Sequence, residues 1–167
     1  MEALVGAGVD AIIVETQTDL EEAAIGVEAA KAAGAPLIIC SFAYDVSADG
    51  SAIHTMMGVR PDGAAERLVE LGVDVVAFNC GTGVDMAKAA GMVEVFRENG
   101  APGTMVQPNA GIPELVDGQT VYRQTPEEMA AALPAVIEAG VRIVGSCCGS
   151  TPEHIAALRK VIDAGLA

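Results

Sequence analysis

The chain has 167 residues, 51% of them hydrophobic, and nine basic against 23 acidic residues give it a net charge of −14. This length and hydropathy exclude wholesale disorder and point to one domain over residues 1–167 with its own core. The charge repels phosphate backbones and anionic lipid, arguing against nucleic-acid and membrane partners. No apolar run approaches the roughly 20 residues of a membrane span, and Met1-Glu2-Ala3 does not open like a signal peptide. The expected location is cytoplasmic, where four cysteines are not read as a disulfide framework.

In chain order, residues 1–8 read as the end of a helix leading into a strand. Short β-branched runs then alternate with Ala-rich segments of helical spacing. Strands are expected over 11–15, 37–41, 73–79, 104–107 and 141–146, and helices over 20–33, 61–71, 84–99, 126–139 and 152 to about 164. Thr125-Pro126 and Thr151-Pro152 place a capping hydroxyl before a first-turn proline, while Gly34, Gly72, Gly100 and Gly140 stand where helices should stop. Aromatics make up 3% of the chain and Trp is absent, which suits helix-on-sheet packing. Strand–helix units with nearly continuous apolar strands imply an α/β fold with parallel pairing, either a doubly wound sheet or a barrel. A (β/α)8 TIM-type barrel takes about 250 residues, so on that reading the five units are the last five of eight, a partial barrel whose open strand edges need cover.

The unusual polar and reactive residues fall at the carboxyl ends of the expected strands: Glu15 to Asp19, Ser41-Phe42, Asn79-Cys80-Gly81, Gln107 to Gly111 and Ser146 to Gly149. That rim is where parallel sheets bind ligands. Catalytic zinc uses three protein ligands and leaves a fourth position for water or substrate, and Cys80, Cys147 and Cys148 fit that pattern if the backbone turns between the adjacent pair. The competing readings are small buried hydrophobes and redox thiols, although a vicinal disulfide needs a strained ring. Cys40, inside an apolar run, reads as core. His54 reads as a solvated loop residue over 47–58, His154 as structural or exposed in the last helix, Met56-Met57 as loop packing, and Glu21-Glu22 as complementing a helix dipole.

Four stretches carry a more specific signal: Val14-Glu-Thr-Gln-Thr-Asp19, Phe78-Asn-Cys-Gly81, Gln107-Pro-Asn-Ala-Gly-Ile-Pro113 and Gly145-Ser-Cys-Cys-Gly-Ser-Thr-Pro-Glu-His154. In order and spacing the sequence resembles homocysteine S-methyltransferases. With Asp117-Gly-Gln-Thr-Val-Tyr122 it is most similar to the homocysteine-binding barrel of cobalamin-dependent methionine synthase. The resemblance implies a (β/α)8 barrel with Zn2+ held by Cys80, Cys147 and Cys148, Glu15 taking the homocysteine ammonium, and Asn109 as a neutral group that fills the fourth position until substrate arrives. It further implies methyl transfer to the zinc-bound thiolate, with methionine as product. Methylcobalamin on a corrinoid protein is one methyl donor, with betaine and S-methylmethionine as alternatives. Ser146 stands where the family has glycine. The first three strand–helix units, with an Asp-Gly segment of the substrate pocket, have no counterpart, so a longer parent chain, a complementing chain or a homo-oligomer is expected to supply them. The alternative is a non-catalytic partial barrel acting as a zinc-binding or interaction module.

Overall fold

The computed structural model describes residues 1–165. Its elements are α1 (Glu2–Gly6), β1 (Ile12–Gln17), α2 (Leu20–Ala32), β2 (Ile38–Phe42), β3 (Asp45–Val46), β4 (Ile53–His54), α3 (Pro61–Glu70), β5 (Val75–Asn79), α4 (Met86–Glu98), β6 (Thr104–Gln107), β7 (Glu114–Val116), β8 (Gln119–Val121), α5 (Pro126–Glu138), β9 (Ile143–Val144) and α6 (Pro152–Gly165). Helix starts follow local chemistry. Asp19 accepts the N–H groups of Glu21 and Glu22 before α2, and Thr125 and Glu128 form a reciprocal capping box with Pro126 in the first turn of α5. At the other ends, Gly34, Gly72, Gly100 and Gly140 all have positive φ, as their helix-stop reading requires.

The five expected strands form one parallel sheet in the order β1-β2-β5-β6-β9. Strand order never reverses. Alternate side chains divide the sheet into two faces. Val14, Cys40, Phe42, Val76, Phe78 and Val106 pack with Ala23, Val27, Leu68, Val93, Phe96, Met129, Leu133 and Leu158 of the helices into the main core. Ile39, Val75, Ala77 and Met105 form a separate small cluster that contains no helix residue. The helices therefore cover one face of the sheet, not both as in a doubly wound fold. The edge strands leave Ile13 and Ile143 exposed. No helix among the described residues is long and apolar enough to cross a membrane.

Several expectations change. Two antiparallel hairpins, β3–β4 and β7–β8, interrupt segments expected as loops. The second turns on Asp117-Gly118, both at positive φ, a pair that is itself a hairpin signal. The last strand contracts to Ile143–Val144 because the chain leaves the sheet to turn at the cysteines. Met56 and Met57 are exposed at 77% and 62%, so they do not pack the loop. His54 lies in β4, half-buried, with Nδ1 3.0 Å from the Thr55 carbonyl, rather than in a solvated loop. Cys40 is fully buried, as expected for a core residue, and burial pushes its thiol up to about 12.

Candidate metal centre

The apolar strand β5 ends in a buried asparagine, Asn79, and then leaves the sheet abruptly. Cys80 has φ 56 and Gly81 φ 77, two successive left-handed residues. That conformation is uncommon for a cysteine and is held here by its surroundings. Cys80 N–H still bonds to Gln107 O in the ladder direction. A Cβ on Gly81 would lie 1.8 Å from the Tyr44 carbonyl oxygen, so only glycine fits beneath this turn. The β3–β4 hairpin grips the same loop, since Asp45 accepts Thr82 N–H at 2.7 Å and Thr82 O accepts Val46 N–H at 2.9 Å.

Beyond β9, Cys147 N–H bonds to Pro108 O at 2.9 Å, and Ser150 N–H closes a turn onto Cys147 O at 3.2 Å with Gly149 at φ 77. This is the turn the adjacent cysteines require. It replaces strand alternation, which would send the two side chains to opposite faces. Tyr122, just after β8, lies against the turn: a Cβ on Gly149 would fall 2.1 Å from its Cγ. Desolvation, then the neighbouring Cys148, raises the Tyr122 phenol above its ordinary pKa. His154 is buried and structural. Its Nδ1 accepts Thr151 N–H at 3.1 Å and its Nε2 faces Gln124 O at 3.0 Å, tying the start of α6 to the segment after the second hairpin.

These two turns bring together sulfurs 68 residues apart. Cys80 Sγ is 3.7 Å from Cys148 Sγ, which is 3.9 Å from Cys147 Sγ, and all three lie within 4.8 Å of one another. A tetrahedral zinc with Zn–S of about 2.3 Å has S···S edges of about 3.8 Å, so the spacing suits three thiolates of one coordination shell. No histidine or carboxylate joins this group among the described residues. Burial first, and then Cys80 and Cys148, push the Cys147 thiol up to about 11. A cation bound beside Cys147 would compensate the thiolate and favour loss of its proton.

Asn109 is buried between the two cysteine turns. Its Nδ2 donates to Gly81 O at 2.8 Å and its Oδ1 accepts Cys148 N–H at 3.1 Å, so one amide fastens both loops. Glu15 is exposed near the end of β1 on the same rim. The sequence places Thr16 and Asn79 on the polar rim and Tyr122 in a stretch of resemblance, without assigning any of them a role. A polar residue ending the run Val75–Phe78 is a readable signal for Asn79, whereas nothing local marks Thr16.

Residues 1–162 match the family described as Homocysteine S-methyltransferase. The chain is 36% identical over 153 residues to the methionine synthase of Mycobacterium leprae, an alignment covering 89% of this chain and 12% of that protein. It is 29% identical over 181 residues to betaine–homocysteine S-methyltransferase 1 of Danio rerio, covering 98% of this chain and 43% of that one. The crystal structure of apo homocysteine methyltransferase MmuM from Escherichia coli superposes with a TM-score of 0.71 at 24% identity, over 96% of this chain and 53% of MmuM, a likeness of fold. The chain thus spans from about an eighth to about half of the proteins it resembles. Because the match runs over nearly its whole length, the chain belongs to the homocysteine S-methyltransferase family.

Proposed function

We propose that this chain carries the thiol-activating site of a zinc-dependent homocysteine S-methyltransferase, with Cys80, Cys147 and Cys148 as the metal ligands. The observation that carries the reading is the spacing of the three sulfurs, 3.7 and 3.9 Å along two edges. Zinc bound there supplies Lewis acidity that keeps a fourth, incoming thiol deprotonated near neutral pH, where a free thiol with a pKa of about 8.5 is mostly protonated. The three cysteine thiolates make the centre formally anionic, so the substrate sulfur retains the electron density needed to attack a methyl group. In such a site the substrate sulfur would supply the electron pair of the new S–CH3 bond, and the methyl donor would leave with the pair of the bond broken.

The other residues bind and orient. Glu15 offers a carboxylate on the rim for the homocysteine ammonium. Asn109 keeps the two turns in register through its bonds to Gly81 and Cys148, and its amide oxygen would offer a bound metal a weak fourth ligand until substrate arrives. The two exposed sheet edges and the limited coverage of the relatives support reading the chain as five units of an eight-unit barrel completed by further units, from a longer chain, a complementing chain or a second copy. The methyl donor, methylcobalamin on a corrinoid protein or a small methylated cation, is a second partner of that assembly.

Metal analysis of the purified protein is expected to find about one zinc per chain. Cys147→Ser should cut zinc retention at least about tenfold, and homocysteine should perturb the thiolate-to-metal charge-transfer bands of the Co2+-substituted protein. Failure to retain Zn2+ or Co2+ against a weak chelator would end this reading.

A further inference from the structure

Asn79 is 2% exposed, and its side chain reaches three other strand ends of the rim. Its Oδ1 accepts the Ser41 hydroxyl of β2 at 2.6 Å and the Thr16 backbone N–H of β1 at 3.2 Å. Its Nδ2 donates to Thr16 Oγ1 at 2.8 Å and lies 4.0 Å from Cys147 Sγ. The orientation of the amide follows from this network: a backbone N–H can only donate, so the oxygen must face Thr16 N, which turns the NH2 group toward the sulfur. Thr16 has φ 59, a left-handed conformation that a β-branched residue adopts only when its surroundings compel it. Both polar groups of Thr16 that Asn79 holds sit at that turn, where the β1–β2 register is interrupted between Val14 and Gln17. Glu15 is the residue immediately before the turn.

We propose that Asn79 is a positioning residue that serves both halves of the site, giving one N–H to the Cys147 sulfur and holding the left-handed Thr16 turn that aims Glu15 at the substrate ammonium. This rests on the zinc-thiolate reading above. A donor to a ligand sulfur orients it and draws off part of its charge, and such outer contacts govern metal affinity by roughly ten- to a hundredfold. Asn79→Asp is the discriminating variant. It keeps the acceptor for Ser41 and Thr16 N–H but puts a carboxylate oxygen where the NH2 group faced Thr16 Oγ1 and the sulfur.

In chelator competition, Asn79→Asp is expected to bind Zn2+ at least about tenfold more weakly than the unaltered protein. Its Co2+ form should show a displaced thiolate-to-metal charge-transfer band and weaker homocysteine binding. Asp74→Ala serves as the control for a purely structural effect, because Asp74 accepts Ile38 N–H at 2.8 Å at the opposite ends of the strands. It should lower thermal stability and leave band and affinity in place. Zinc affinity within twofold and an unmoved band in Asn79→Asp would overturn the inference, as would an equal loss in Asp74→Ala. If the unaltered protein itself binds no zinc, the proposed function fails instead, which separates the two outcomes. Should Asn79→Asp not fold, the unaltered protein loaded with 113Cd decides the matter: a scalar correlation between the metal and an Asn79 amide proton is expected, and its absence overturns the inference.

Discussion

At the scale of single residues, the three clustered thiols set the pH behaviour. Cys147 is pushed up to about 11, first by burial and then by Cys80 and Cys148, so without a cation it keeps its proton through the neutral range. A metal ion bound there must expel that proton, which fixes the sign: apparent zinc affinity rises with pH, by roughly tenfold per unit for each proton released, below the Cys147 pKa. Chelator competition between pH 6.5 and 8, or calorimetry in buffers of different ionisation enthalpy, measures that slope, and a flat profile would mean that the thiols are not the ligands. Cys40 illustrates the opposite use of the same side chain. With its thiol at about 12 and no exposure, it is packing for the helix-facing core. What separates it from the other three was legible from sequence neighbours, an apolar run on one side and strand-end glycines on the other.

Among the elements, the two hairpins explain how loops as irregular as those carrying the cysteines keep one shape. The β3–β4 hairpin braces the Cys80 turn through Asp45 and Val46, and the segment leaving β8 braces the Cys147–Ser150 turn through Tyr122 and the start of α6 through Gln124 O against His154. α5 begins where the second of these segments ends, and its capping box fixes that junction. Thr125→Ala leaves the Glu128 N–H without its acceptor and should cost about 1 kcal/mol, read as a lower denaturation midpoint with an unchanged slope. A stability equal to the unaltered protein would show that the box contributes nothing to α5. The hairpins went unread because two- and three-residue strands are too short for periodicity to declare, although Asp117-Gly118 announced one of the turns.

For the whole molecule, a net charge of −14 on 167 residues is a self-repulsion that folding concentrates. Its five ion pairs among the described residues, such as Arg159–Asp163 and Arg67–Glu70, are exposed and contribute little. Screening should therefore stabilise the fold, and the melting temperature is expected to rise between 10 mM and 500 mM sodium chloride. A fall would show that attractive pairs outweigh the net repulsion. The same sheet whose helices cover one face leaves Ile13 and Ile143 exposed on its two edge strands.

Chain order, alternating strand and helix periods, helix caps and terminal glycines were determined by the sequence alone, because each is written within a few neighbouring residues. So was the candidate set Cys80, Cys147 and Cys148, since polar and reactive residues recur where apolar strand runs stop. Tertiary structure decided what those local signals leave open. Strand order that never reverses, with helices on one face, sets this sheet apart from a doubly wound one. The left-handed turns at Thr16, Cys80 and Gly81 arise from contacts with Asn79, Gln107 and Tyr44, residues 63, 27 and 37 positions away in turn. The 3.7 Å approach of two sulfurs 68 residues apart depends on the sheet placing β5, β6 and β9 side by side, a long-range arrangement that no short window of sequence contains.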